Sequence, residues 1–117
     1  ERLKEYYKLG ARFAKWRAVY SISSKYPSEQ CIKSNAHALA RYAALVQESN
    51  MVPIVEPEIL MDGTHDIDDS FVVTEEVLHT VFFELYSQGV HFEEMVLKPN
   101  MVWMSNQLSG ISVLVKG

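Results

Sequence analysis

Apolar positions along the chain recur with two different periods, and each change of period marks a new element. From Arg12 to Val19 the side chains alternate as in a strand, with Phe13, Lys15, Arg17 and Val19 on one face and Ala14, Trp16 and Ala18 on the other. Two cations therefore share a strand face with apolar neighbours. After a Ser-rich turn, Ser28 stands as an N-cap in Pro27-Ser28-Glu29, and Ile32, Ala36, Leu39, Ala43 and Val46 recur at helical spacing up to Ser49-Asn50. Such a stripe needs a sheet to cover. A second strand runs from Met51 to Glu56, with Val52, Ile54 and Glu56 facing one way and Pro53 and Val55 the other, and Pro57 is expected to end it because proline cannot donate to a ladder. Residues Ile59 to Val73 read as a loop that contains Asp62-Gly63 and the acidic run Asp66-Ile67-Asp68-Asp69. Thr74 is expected to cap a second helix, with Glu75 and Glu76 in its first turn, Val77, Leu78, Val81, Phe82 and Leu85 as its buried stripe and Gly89 as its stop. The third strand, Glu93 to Lys98, sets Glu94, Val96 and Lys98 against Met95 and Leu97 and breaks at Pro99.

Strand, helix, strand, helix, strand implies right-handed crossovers and a parallel sheet. A doubly wound sheet, buried on both faces, should show nearly continuous apolar strands. Here the strand ends carry Lys15 and Arg17, Glu56, and Lys98 on one face, the pattern of a barrel that gathers its chemistry at the carboxyl ends of its strands. The reading is an α/β fold, a partial (β/α)8 barrel with about three parallel strands and two connecting helices. A complete barrel takes about 250 residues, so 117 residues supply well under half of one and leave two sheet edges unpartnered.

Composition narrows the function. The chain is 48% hydrophobic and 22% charged, a globular balance rather than a disordered one. Eleven Lys and Arg against fifteen Asp and Glu give a net charge of -4, which weighs against a nucleic-acid partner. Cys31 is the single cysteine, and no run reaches the roughly 20 apolar residues of a membrane span. A reducing, cytoplasmic setting with no membrane is expected. The opening Glu1-Arg2-Leu3-Lys4 has no Met and no apolar stretch behind it, so the chain reads as the interior of something longer with no signal peptide. His37, His65, His79 and His91 show no ligand spacing with Cys31 or with each other, and no metal is expected. Asp66, Asp68 and Asp69 suggest half a calcium loop, but the downstream glutamate has the wrong offset, and a solvated acidic loop is the stronger reading.

Two groups carry candidate chemistry. A lysine at the end of an apolar strand, Lys98, is either a partly desolvated amine able to attack a ketone and form an iminium, or a side chain that extends its ammonium into water. Nearby cations such as Lys15 and Arg17 would favour the first. Glu56 and Glu58 flank Pro57 and read either as a carboxylate pair for proton transfer beside a lysine, or as two solvated acids in a loop.

The order of the blocks decides between these readings. Ala11-Arg12-Phe13-Ala14-Lys15-Trp16-Arg17, Ala38-Leu39-Ala40-Arg41-Tyr42-Ala43, Val52-Pro53-Ile54-Val55-Glu56-Pro57-Glu58-Ile59-Leu60, Asp62-Gly63-Thr64-His65-Asp66-Ile67 and Leu97-Lys98-Pro99-Asn100-Met101-Val102 together strongly resemble the class I fructose-bisphosphate aldolases, the metal-independent lyases of glycolysis. The resemblance runs from about Arg2 to Val102, so residues 1–102 read as the central segment of the barrel and 103–117 as a divergent tail. It implies reversible cleavage of a phosphorylated sugar, fructose bisphosphate, into dihydroxyacetone phosphate and glyceraldehyde phosphate, with no cofactor, in a full-length enzyme that is usually a homotetramer. It also implies Lys98 as the Schiff-base lysine, Glu56 as the acid and base for that step, Glu58 as the neighbour that tunes it and Lys15 as a substrate-holding cation that supports proton transfer. Arg17 falls at a position associated with substrate phosphate. The alternative is a truncated, catalytically incompetent piece with a binding or assembly role, because the strands that complete the phosphate site lie outside this sequence.

Overall fold

In the computed structural model, residues 1–21, 27–60 and 67–100 are described. In chain order they form α1 (Arg2–Lys8), β1 (Phe13–Ser21), α2 (Glu29–Glu48), β2 (Val52–Leu60), α3 (Ile67–Ser87), a 3₁₀ turn (Phe92–Glu94) and β3 (Val96–Leu97). The three strands lie in the order β1-β2-β3, and both neighbouring pairs are parallel. The crossovers expected from the alternation of periods are thus formed by α2 and α3.

Both crossover helices cover one face of the sheet. Ser28 caps α2 as expected, its hydroxyl accepting the Cys31 amide at 3.2 Å, and all of Ile32, Ala36, Leu39, Ala43 and Val46 are buried. Ile32, Ala36, Leu39 and Ala43 meet Ala18 and Tyr20 from β1, Val55 and Ile59 from β2, and Val77, Val81 and Leu85 from α3 in one core. Pro53 and Pro57 are buried on this same side of β2. Among the described residues no helix lies on the opposite face, and period-two geometry puts the charged side chains there.

Several boundaries differ from the sequence reading, each for a physical reason. β2 does not stop at Glu56; it runs through Pro57 to Leu60, paired with β1 along its whole length. In a parallel ladder successive residues turn their amides to opposite neighbours. Val52 donates to Arg12 on the β1 side, and Val55 accepts from Lys98 on the β3 side at 2.9 Å. Odd-numbered Pro57 therefore gives up only a bond toward β3, whose ladder has already ended. α3 begins at Ile67 and not at Thr74. Its apolar stripe continues backward through the small residues Thr74 and Ser70, both buried, which a hydrophobic pattern does not register. Asp68 and Asp69 occupy its first turn and complement the helix dipole, while Glu75 and Glu76 lie mid-helix. Within the stripe, Phe82 remains partly exposed and packs edge-to-face on Phe92 at 5.5 Å.

Gly89 ends α3 with φ of +73°, a left-handed position that glycine takes without strain. β3 is shorter than expected because its first half is the 3₁₀ turn, and α1 was not read from the sequence because it buries none of its residues. Asp62-Gly63, His65, Asp66 and the 103–117 tail lie outside the described residues.

The free edge of β1 carries an apolar groove of about 680 Å³ lined by Leu3, Tyr6, Phe13, Trp16, Tyr42 and Leu45. Trp16 and Tyr42 rings lie 5.4 Å apart there. A parallel sheet that stops at β1 leaves this surface uncovered, where a further strand and helix would pack. Leu39, fully buried between α2 and the sheet, should hold the described layers together. Its replacement, Leu39→Ala, is expected to cost about 2–5 kcal/mol, read as a lowered denaturant midpoint with an unchanged slope.

Candidate active site

Alternation along β1 and β2 puts Lys15, Arg17, Glu56 and Glu58 on the face away from the helices. The register then fixes their neighbours. Arg17 stands opposite Glu56 and Lys15 opposite Ile54, while Val55 stands opposite Leu97. Lys98, one residue past β3, thus falls beside Glu56 from the other side, its backbone amide bonded to the Val55 carbonyl. Glu56 is the middle strand's carboxylate with a cation-bearing strand on each flank.

The side chains close this arrangement. Lys98 Nζ donates to Glu56 Oε1 at 2.8 Å, and Lys15 Nζ sits 3.1 Å from Glu56 Oε2. The Glu56 side chain is only 8% exposed, against 53% for Lys15 and 60% for Lys98. A buried carboxylate is thus shared by two ammonium groups that reach it from water. The hydrogen bond from Lys98 chiefly, and the Lys15 ammonium next, hold the Glu56 carboxyl below its ordinary range against the opposing effect of burial. With two cations on one anion, the cluster carries an excess positive charge on an open sheet face, which suits a phosphorylated substrate.

Arg17 and Glu58 form a second pair. The guanidinium reaches the same Glu58 carboxylate oxygen through both Nε and a terminal nitrogen. Glu58 therefore holds Arg17, and Arg17 is engaged by a carboxylate in this state. The structure brings Lys15, Glu56 and Lys98 together and sets Arg17 with Glu58 one step further along the same face. Of the two sequence readings of Lys98, its surroundings here match the side chain that extends its ammonium into water. Its ammonium is paired with a carboxylate and largely exposed, not desolvated among apolar groups, because among the described residues nothing stands across this face of the three strands.

The residue that sequence reading passed over is Gln47. Its carboxamide bonds only main-chain groups, at His91 and Glu94, so no complementary side chain signals it in the sequence. Among the described residues no three His, Cys, Asp or Glu side chains converge as a metal ion would need, and no helix is long and apolar enough to cross a membrane.

A carboxyl held below its ordinary value of 4.5 by folded-state partners stabilises the fold above that value and loses this contribution as the pH falls through the lower folded value. The stability gap between the wild type and Glu56→Gln is therefore expected to be widest near neutrality and to narrow below about pH 4.5. Denaturant titrations across that range check it, and a gap that does not vary with pH would show that the charge on Glu56 stabilises nothing.

Comparison with known proteins bears on this geometry. The family model "Glycolytic: Fructose-bisphosphate aldolase class-I" matches residues 1–112. A probable fructose-bisphosphate aldolase class 1 of Xylella fastidiosa is 59% identical over 101 residues, which cover 86% of this chain and 30% of that protein. A fructose-bisphosphate aldolase of Dictyostelium discoideum is 57% identical over 104 residues, covering 87% and 29%. The solved structure of a fructose-bisphosphate aldolase from Plasmodium falciparum, in complex with TRAP and a small-molecule inhibitor, superposes with a TM-score of 0.88 at 48% identity, covering 96% of this chain and 33% of that one. The chain spans about 30% of the length of the curated relatives it matches. Three parallel strands joined by crossover helices are therefore part of a (β/α)8 barrel, and the chain belongs to the class I fructose-bisphosphate aldolase family.

Proposed function

We propose that the barrel of which these strands form a part is a class I fructose-bisphosphate aldolase, reversibly cleaving fructose bisphosphate to dihydroxyacetone phosphate and glyceraldehyde phosphate with Lys98 as its Schiff-base nucleophile. One observation carries the reading: Lys98 and Lys15 meet the two oxygens of the Glu56 carboxylate, at 2.8 and 3.1 Å. A nucleophilic amine within hydrogen-bond reach of a proton-transfer group, oriented by a third residue, is the arrangement that covalent catalysis on a ketone requires.

In this reading the Lys98 ammonium first passes a proton to Glu56, and the free amine then adds to the ketone carbon as a proton moves from its nitrogen to the carbonyl oxygen, giving a neutral carbinolamine. Glu56 delivers a second proton to that hydroxyl, water leaves, and an iminium remains. The iminium draws in the electron pair of the adjacent carbon–carbon bond as the neighbouring hydroxyl loses its proton. An aldehyde triose phosphate departs, the resulting enamine is protonated on carbon, and water returns to free dihydroxyacetone phosphate and the amine. The electrostatics of Glu56 fit its part. Its low proton affinity comes first from the Lys98 hydrogen bond, so conversion of that ammonium to a neutral carbinolamine removes the main cause just when the carboxyl must hold a proton. Lys15 remains on the other oxygen and keeps the carboxyl in place.

Glu58 supports the site by holding Arg17, and that guanidinium lies on the same face for the substrate's phosphate. The reading carries with it a cofactor-free cytoplasmic enzyme that assembles as a homotetramer. Two Arabidopsis thaliana relatives, 55% and 56% identical, are named as cytosolic aldolases, which supports the location. Residues 1–102 are the barrel's contribution and 103–117 a divergent tail.

Borohydride treatment of the complete polypeptide with dihydroxyacetone phosphate is expected to leave a reduced sugar adduct on the Lys98 peptide, read by mass spectrometry. Lys98→Met should abolish it, and Glu56→Gln should slow it by about a hundredfold. An adduct on another lysine, or none, sinks the proposal. The 117-residue chain by itself is expected to show little aldol cleavage, because it spans only about 30% of the length of its relatives. Turnover near that of a complete family member in a coupled assay would contradict this, whereas silent association with intact barrels would favour the assembly role.

A further inference from the structure

β3 is a strand of only two residues, paired to β2 through Ile54↔Val96 and Val55↔Leu97. So short a ladder specifies its own register weakly. A slip of one residue would carry every side chain on it to the opposite face, moving Lys98 from Glu56 to the helix side. Met95 and Leu97 pack against the core on one side of it, and a further contact outside the ladder fixes where β3 begins.

The last turn of α2 supplies it. Gln47 Nε2 donates to the His91 carbonyl at 2.8 Å and to the Glu94 carbonyl at 3.2 Å, and its Oε1 accepts the His91 amide at 2.9 Å. Three of the four bonds a carboxamide can make are thus spent on the two ends of a single 3₁₀ turn. The helix that holds Gln47 is itself fixed, since the adjacent Val46 is fully buried. From Glu94 to Lys98 the extended chain covers only about 13 Å, so an error at the turn passes directly to the amine.

We propose that Gln47 is a positioning residue for Lys98: by clamping both ends of the 92–94 turn it sets the register of β3 and so the side of the sheet on which the lysine amine meets Glu56. The inference rests on the Schiff-base reading of Lys98 for its catalytic consequence, and on the clamp geometry alone for its structural one. It also assigns a function to the amino-terminal end of the strands, the end opposite the chemistry, where barrel residues ordinarily serve stability.

Gln47→Met keeps the length and helix preference of the side chain and removes all three bonds. Ser49→Ala, which loses a bond to the Leu45 carbonyl within the same helix end, serves as the comparison for a general loss of stability. In the complete polypeptide, Gln47→Met is expected to raise amide hydrogen exchange at residues 95–98 about tenfold while the β1 amides stay protected. It should also lower the borohydride-trapping rate at saturating dihydroxyacetone phosphate about tenfold, with the half-saturating concentration held within about twofold. If both readouts match the wild type, or move no further than in Ser49→Ala, the clamp does not position the lysine. Absence of trapping in the wild type would defeat the Schiff-base reading, and exchange at residues 95–98 would then decide the clamp by itself.

Discussion

The carboxylate of Glu56 is the point on which the site turns. It is nearly enclosed, and an ionised carboxylate taken from water is costly unless it is paired. Lys98 and Lys15 supply the pairing from the strands on either side, so the same contacts that make burial of Glu56 tolerable also bring two amines to one anion. Neither lysine could be exchanged for a neutral residue without leaving a buried charge under-compensated. Structural and chemical demands therefore fall on the same three side chains.

That pairing follows from the division of labour between the faces of the sheet. On one face, Val55 and Ile59 pack with the stripes of α2 and α3 into a dry core. On the other, the residues between them in sequence carry charge. A strand alternates strictly, so the burial that locks β2 against the helices also determines that Glu56 and Glu58 point away from them. The two prolines, Pro53 and Pro57, lie on the core side and cost the ladder bonds only toward β3. The pairing with β1, which brings Lys15 and Arg17 alongside, is left whole.

Much of this was legible in the sequence, because alternation and helical spacing are local. The faces of β1, the cap at Ser28, the stripe of α2, the stop at Gly89 and the shared side of Lys15, Glu56 and Lys98 all follow from positions a few residues apart. What was not legible depended on partners distant in the chain. Pro57 reads as a terminator until it is known that its missing amide would face a strand that has already ended. Thr74 reads as a cap because small polar residues look like boundaries, although Ser70 and Thr74 are buried against the core. The apolar neighbours of Lys98 in sequence leave both a desolvated and a solvated amine open, because its exposure is set by how many strands stand across the face.

The same distinction explains why one carboxylate and two amines can be brought together on about a third of a barrel's length. Amine, carboxylate and second cation are contributed by adjacent strands, and adjacent strands are consecutive in a βαβ chain, so their relative placement needs only two crossovers and one register. What consecutive strands cannot provide is enclosure. A wall that faces Lys98 and keeps water from it must come from strands across the barrel, remote in sequence. Position of these charged groups is thus a local property of the residues, while their dielectric surroundings are a property of the closed barrel.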